Sequence, residues 1–195
     1  MEDFEIIVNN IKYRVDYIMY RTKGSLNQKL LEDINDPNRE QHVQYYIVSK
    51  DDKQYWIKEV NFKPEAYTGD TNCDMEVEKE YNRGRQINDV VIKIANDSIS
   101  SVKYIAYEKN RVVQEYCDKY VKYSEIDLSI DYKERIRELI KVWIKQLPFN
   151  NYDMGPTNTL VKIEQGNILI KMIDLADSTD KTLEQCSKSI NRMFK

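Results

Sequence analysis

YKERIRELIKVWIKQL, Tyr132 to Leu147, is the segment that most limits what this chain can become. Ile136, Leu139, Ile140, Trp143, Ile144 and Leu147 recur at helical spacing and make one broad apolar face. Such a face must be buried against another layer. Most of the remaining apolar residues alternate with polar ones, which is strand patterning. The helix therefore has sheet to pack on, and the fold class is α+β. Membrane or partner binding is a second reading of this face, but core is the simpler one, with Trp143 as a packing residue.

The pass along the chain gives a β-rich first half. FEIIVNNIKYRVDYIMY reads as strand with a turn at Asn9-Asn10. TKGSLNQKLLEDINDPNREQ reads as a loop, with a short helix at most, ended by Asp36-Pro37. HVQYYIVSKDDKQYWIKEV is the clearest hairpin: strands 43–49 and 54–60 flank an Asp-Asp-Lys turn. CDMEVEKEYNRGRQIND reads as a helix, with Asp74 as N-cap and Val77, Tyr81, Gly84 and Ile87 or Asn88 on one stripe. Two or three strands follow in 90–120, the last pair turning at Glu108-Lys109-Asn110. After the long helix come the polar loop NNYDMGPTNTL and a hairpin, TLVKIEQGNILIKMIDLAD, that turns at Gln165-Gly166 and ends in Asp174. A short helix is predicted within 178–195.

Charge narrows the function classes. With 30 basic and 33 acidic residues the net charge is −3, which exerts no long-range pull on nucleic acid or anionic membrane. No run approaches the roughly 20 apolar residues that span a bilayer. The acidic start MEDFEIIVNN lacks the layout of a signal peptide. Cys73, Cys117 and Cys186 are odd in number and far apart, which fits neither a disulfide framework nor a zinc site and points to a reducing, cytoplasmic setting. The sole histidine, His42, has no partners for a triad or a ligand set.

Five polar residues then fall in a telling order. Lys58 lies in the strand YWIKEV, and Glu80 follows 22 residues later on the helix. Asp153 and Asn158 stand five apart in the loop after the long helix, and Asp174 ends the last strand. In these residues the chain resembles the protein-kinase-like superfamily. YDMGPTNTL is similar to the catalytic loop, KMIDLAD to the metal-binding Asp-Phe-Gly segment, and RVVQEYCD to the strand entering the hinge.

The resemblance implies a bilobal fold: a β-rich N-lobe over 1–117, with a five-stranded sheet and one helix, and a truncated C-lobe over 118–195 carrying the catalytic and metal-binding loops. It implies an ATP- and Mg2+-dependent phosphotransferase. Lys58 would hold the phosphates and Glu80 would hold Lys58, the latter chosen over Glu76 and Glu78 by the apolar stripe behind it. Asp153 would serve as catalytic base, and Asn158 and Asp174 as oxygen ligands to magnesium, a hard cation. Gly24 and Ser25 would cover the phosphates. Glu115 to Cys117 would meet the adenine, with Gln114 as gatekeeper and Trp56 against the base.

The departures from the pattern define the alternatives. YRTKGSL has only Gly24 and Ser25 where the family has a glycine-rich loop. Trp56 stands where a small residue is usual and either fills the adenine site or stacks on the base. Asn151 and Tyr152 replace the family's His and Arg, and Asp-Phe-Gly becomes Asp174-Leu175-Ala176. Only 21 residues follow Asp174, so a substrate-binding helical lobe is not expected. The leading expectation is a minimal protein kinase, like those that pathogens and viruses use against host proteins, acting on a protein in its own or a host cytoplasm. The alternative is a pseudokinase that binds or inhibits a protein without catalysis. A small-molecule kinase of the aminoglycoside or choline type is a third reading, weakened by the missing lobe.

Overall fold

Two-residue turns set the strand pattern. Asn9 and Asn10 have φ of 51° and 62°, and Asp51 and Asp52 have 50° and 59°. Successive left-handed residues are what a tight hairpin of matching twist demands, and Asn and Asp tolerate that conformation better than other side chains. The third such turn uses Gln165 (52°) and Gly166 (80°). In the computed structural model, residues 4–22, 28–30, 39–61, 73–148, 155–174 and 182–194 are described.

In chain order the elements are β1 Glu5–Val8, β2 Ile11–Thr22, β3 Gln28–Leu30, β4 Arg39–Lys50, β5 Lys53–Val60, α1 Cys73–Ile87, β6 Ile92–Ile94, β7 Asp97–Ser101, β8 Tyr104–Glu108, β9 Arg111–Glu115, β10 Val121–Lys122, α2 Ile130–Ile144, β11 Thr159–Glu164, β12 Asn167–Met172 and α3 Leu183–Met193. The hairpins and helices fall where periodicity puts them, with local corrections. The Asp-Asp-Lys turn is Asp51-Asp52 alone, because Lys53 already pairs with Lys50. Part of the segment read as loop and short helix is extended: Gln28–Leu30 pairs with β2, and β4 begins at Arg39. Asp36-Pro37 lies outside the described residues. Asp74 stands inside the first turn of α1 rather than capping it, where its carboxylate still faces the positive end of the helix dipole.

The chain forms two compact units, Met1–Tyr81 with Tyr104–Tyr116, and Asn82–Lys103 with Cys117–Lys195. Residues 82–103 thus group with the C-terminal residues rather than with the first 117.

The first unit holds a seven-stranded sheet of order β1-β2-β4-β5-β9-β8, with β3 pairing β2. The expected five strands are joined by β1 and β3. The sheet curls until its ends meet: the Asn9 N–H, in the first turn, donates to Glu108 Oε2 at 2.8 Å at the end of β8. The inner face is apolar, with Ile6, Val8, Tyr13, Tyr46, Val48, Ile57, Ala106 and Val113 all buried. Alternation along β5 puts Trp56 and Lys58 on the opposite face.

The second unit has a five-stranded sheet, β10-β11-β12-β7-β6, antiparallel except where β12 lies parallel to β7. The apolar stripe of α2 supplies Ile136, Leu139, Ile140, Trp143 and Ile144 to its core, against Val161, Ile168, Ile170 and Met172 of the hairpin and Ile190 and Phe194 at the chain's end. The Trp143 indole donates to the Val90 carbonyl at 2.8 Å. Among the described residues no helix is long and apolar enough to cross a membrane.

Candidate functional site

Glu80 is a charged residue where the sequence pattern allows only a buried one. It is four residues before Gly84 and seven before Ile87 on the inward face of α1, and only 4% of it is exposed. A carboxylate in such a place must be met by donors. Lys58 Nζ, on β5, reaches its Oε2 at 2.9 Å. Tyr104 Oη on β8 and Gln114 Nε2 on β9 donate to its Oε1 at 3.3 and 3.2 Å. The neighbouring carboxylate candidate Glu78 is exposed and takes the Tyr107 hydroxyl at 2.9 Å instead.

Lys58 is itself mostly covered, its side chain 17% exposed. Trp56 sits two residues away on the same strand face. It pairs with Gln114 across the ladder, and its ring lies 5.4 Å from that of Tyr45. Glu115 closes β9 opposite Tyr55, and the chain passes to the second unit after Tyr116. The Cys117 carbonyl accepts the Tyr120 N–H at 3.2 Å.

The second unit brings Asn158 and Asp174 to one end of the β11–β12 hairpin. Pro156 starts a single 3-10 turn, Pro156–Asn158, with its fixed φ suited to that position. The turn is pinned by the Asn158 N–H and the Thr159 hydroxyl, both donating to the Gly155 carbonyl at 3.0 Å. The Asn158 carbonyl in turn accepts the Ile173 N–H at 3.0 Å, so the backbone continues the ladder one step past the Thr159–Met172 pair. Asp174 is the next residue, exposed and left-handed with φ 55°.

Asp153, Gly24 and Ser25 lie outside the described residues. Among the described residues, no three His, Cys, Asp or Glu side chains cluster as metal ligands. Asn158 and Asp174 offer an amide and a carboxylate oxygen, a donor set that suits a hard cation such as Mg2+ and not a soft one.

Sequence reasoning missed Tyr104 as a partner of Glu80. Also missed were Asp97 and Arg135, whose guanidinium forks onto the buried carboxylate of the second unit. A lone Asp in NDSIS carries no signal of its arginine, 38 residues away.

The architecture is α+β and similar to the protein-kinase-like fold. Among solved structures the chain is similar to the Rio2 kinase of Chaetomium thermophilum, captured as an ADP/Mg2+-phosphoaspartate complex, with a TM-score of 0.58 and 14% identity. That likeness covers 80% of this chain and 52% of that one, so the chain spans about half the length of that kinase. At this identity it is the fold that is shared. No protein-family model matches the chain, and no curated protein does.

Proposed function

We propose that the chain is an ATP- and Mg2+-dependent phosphotransferase of minimal protein-kinase type, with a protein hydroxyl as acceptor. The observation that carries this reading is the Lys58–Glu80 ion pair at 2.9 Å, built from a strand lysine and a helix carboxylate in the order the fold calls for. Support also comes from Asn158 and Asp174 at one hairpin end, and from the ADP and Mg2+ held by the structurally similar Rio2 kinase.

In this reading Lys58 binds phosphate oxygens while Glu80 keeps its ammonium directed. Asn158 and Asp174 hold Mg2+, which when bound neutralises charge on the transferred phosphate. Asp153 accepts the proton of the attacking hydroxyl. Glu115 and Cys117 present backbone groups to the adenine, Trp56 meets its ring, and Gly24 and Ser25 cover the phosphates. The 1–117 and 118–195 segments act as the N-lobe and the truncated C-lobe, in the cytoplasm of the cell or of a host.

Calorimetry with MgATP tests the reading. Wild type is expected to bind only with the metal present, Asp174→Asn to lose binding, and Lys58→Ala to weaken it by about tenfold or more. A folded wild type that binds no nucleotide with Mg2+ or Mn2+ overturns it.

One observation favours the pseudokinase reading: the Trp56 indole shares the strand face of Lys58 and leans on Tyr45. It predicts that Trp56→Ala creates nucleotide affinity absent in wild type. It also predicts that Asp153→Ala with Asp174→Ala leaves the biological activity intact.

A further inference from the structure

We propose that Tyr104 and Gln114 are positioning residues that hold Glu80 in place without help from Lys58, latching α1 to the sheet from within the first unit. The proposal deepens the reading of Lys58 and Glu80 as nucleotide-site residues and takes its functional meaning from that reading.

The two carboxylate oxygens divide the work. Oε2 takes Lys58, while Oε1 takes both Tyr104 and Gln114. Tyr104 is fully buried and Gln114 is 6% exposed, so neither hydrogen bond competes with bulk water. At 3.3 and 3.2 Å both contacts are long, but Oε1 is buried, and removing both would leave that oxygen without a donor while Lys58 stays on Oε2.

A β-bulge puts Tyr104 there. Counting back from the Lys109-Asn110 turn, a regular hairpin would set Ile105 opposite Gln114 and send Tyr104 to the other face. The register instead slips after Ala106, which pairs with Val113, so that Tyr104 pairs with Gln114. Ile105 is the extra residue and is exposed. Re-aiming a side chain is what a bulge does. The helix engages the bulge a second way: the Tyr81 hydroxyl reaches the Ile105 carbonyl at 3.5 Å, and the Tyr81 and Tyr107 rings lie 4.7 Å apart.

Moving the Glu80 turn of α1 away from the sheet of the first unit requires breaking the Tyr104 and Gln114 bonds as well as the ion pair.

Amide hydrogen exchange across Val77–Ile87, together with the rate at which an amine-directed sulfonyl fluoride labels Lys58 (read by peptide mass spectrometry), tests the latch. Tyr104→Phe with Gln114→Met is expected to speed both by about tenfold or more, while exchange in α2 stays unchanged as a folding control. Lys58→Ala is expected to move α1 exchange by less than about threefold. If the double variant unfolds, the single variants, which preserve shape, carry the comparison. Wild-type exchange and labelling in the double variant overturn the proposal, as does equal loosening by Lys58→Ala.

MgATP calorimetry on the same proteins separates the two readings. A latch seen in a chain that binds no nucleotide leaves this proposal standing and removes the phosphotransferase. Nucleotide binding lost in Lys58→Ala, with exchange and labelling in the double variant at wild-type levels, does the reverse.

Discussion

Tyr123 is a residue whose polar atom works against its position. Its ring meets Phe194 edge-on at 4.7 Å inside the second unit's core. Among the described residues its buried hydroxyl has no hydrogen-bond partner. An orphaned buried hydroxyl costs about 1–3 kcal/mol, so Tyr123→Phe is expected to stabilise the fold by about 1 kcal/mol in urea denaturation. Burial also raises the Tyr123 pKa, partly offset by Arg137. Tyr13 is raised by burial, and Tyr107 chiefly by its hydrogen bond to Glu78. The sign of the effect follows. Unfolded tyrosines ionise first, near pH 10, so above that pH the unfolded chain holds fewer protons and stability falls as pH rises. The unfolding midpoint is expected to drop above about pH 10, less steeply in Tyr123→Phe. A midpoint that rises there contradicts these shifts. At this scale the pairing of Lys58 with Glu80 came from the resemblance to the protein-kinase-like superfamily, and the helix stripe chose Glu80 over Glu76 and Glu78. Tyr104 was not legible, since one inserted residue reverses its face and leaves no mark in the alternation.

Elements were more legible than their partners. Turns at Asn9-Asn10, Asp51-Asp52 and Gln165-Gly166 follow from residue types that accept positive φ. The α2 stripe emerges as core because period alone defines it. What could not be read is the docking of β7, whose Asp97 accepts from Arg135 of α2 and from the Ile168 N–H of β12 at 2.7 Å. Asp97→Ala removes both at once and leaves the buried Ile168 N–H without its acceptor, while Arg135, 43% exposed, keeps the Gly166 carbonyl. The expected loss is about 1–3 kcal/mol of second-unit stability, with Asp97→Asn losing less because it can still accept from Ile168. Chemical denaturation followed by Trp143 fluorescence checks this, since that indole lies in the same core. At the C-terminal end, Thr182 and Gln185 form a reciprocal cap on α3, at 2.8 and 3.3 Å. Thr182→Ala is expected to cost about 1 kcal/mol, seen first as faster exchange in α3. Unaltered exchange there would mean that Ile190 and Phe194 hold the helix without its cap.

Over the whole molecule, the α+β class was within reach of the sequence and the grouping of residues 82–103 with the C-terminal residues was not. They group there because β7 lies beside β12 in parallel, with Ser101 paired with Met172. Parallel pairing needs a long crossover and leaves no turn signal at either end. Glu80 and Asp97 illustrate the result: close in sequence, they serve different units, and the boundary falls within α1 between Tyr81 and Asn82.

That parallel pair also sets a timetable for synthesis. At about 5–20 residues per second, roughly 4–14 s pass between the synthesis of β7 and that of its partner strand. The last residue of the first unit is Tyr116, so that unit is expected to be able to fold with its neighbour still unfinished. During the interval the strand Asp97–Ser101 offers an open edge to other nascent chains. Ribosome-arrested chains halted after residue 150 are expected to protect the first unit from protease while 82–103 is cut, and chains halted well past residue 195, by a C-terminal extension, to protect both. The parallel pair thus makes the interval before β12 is made the time at which the β7 edge stands open.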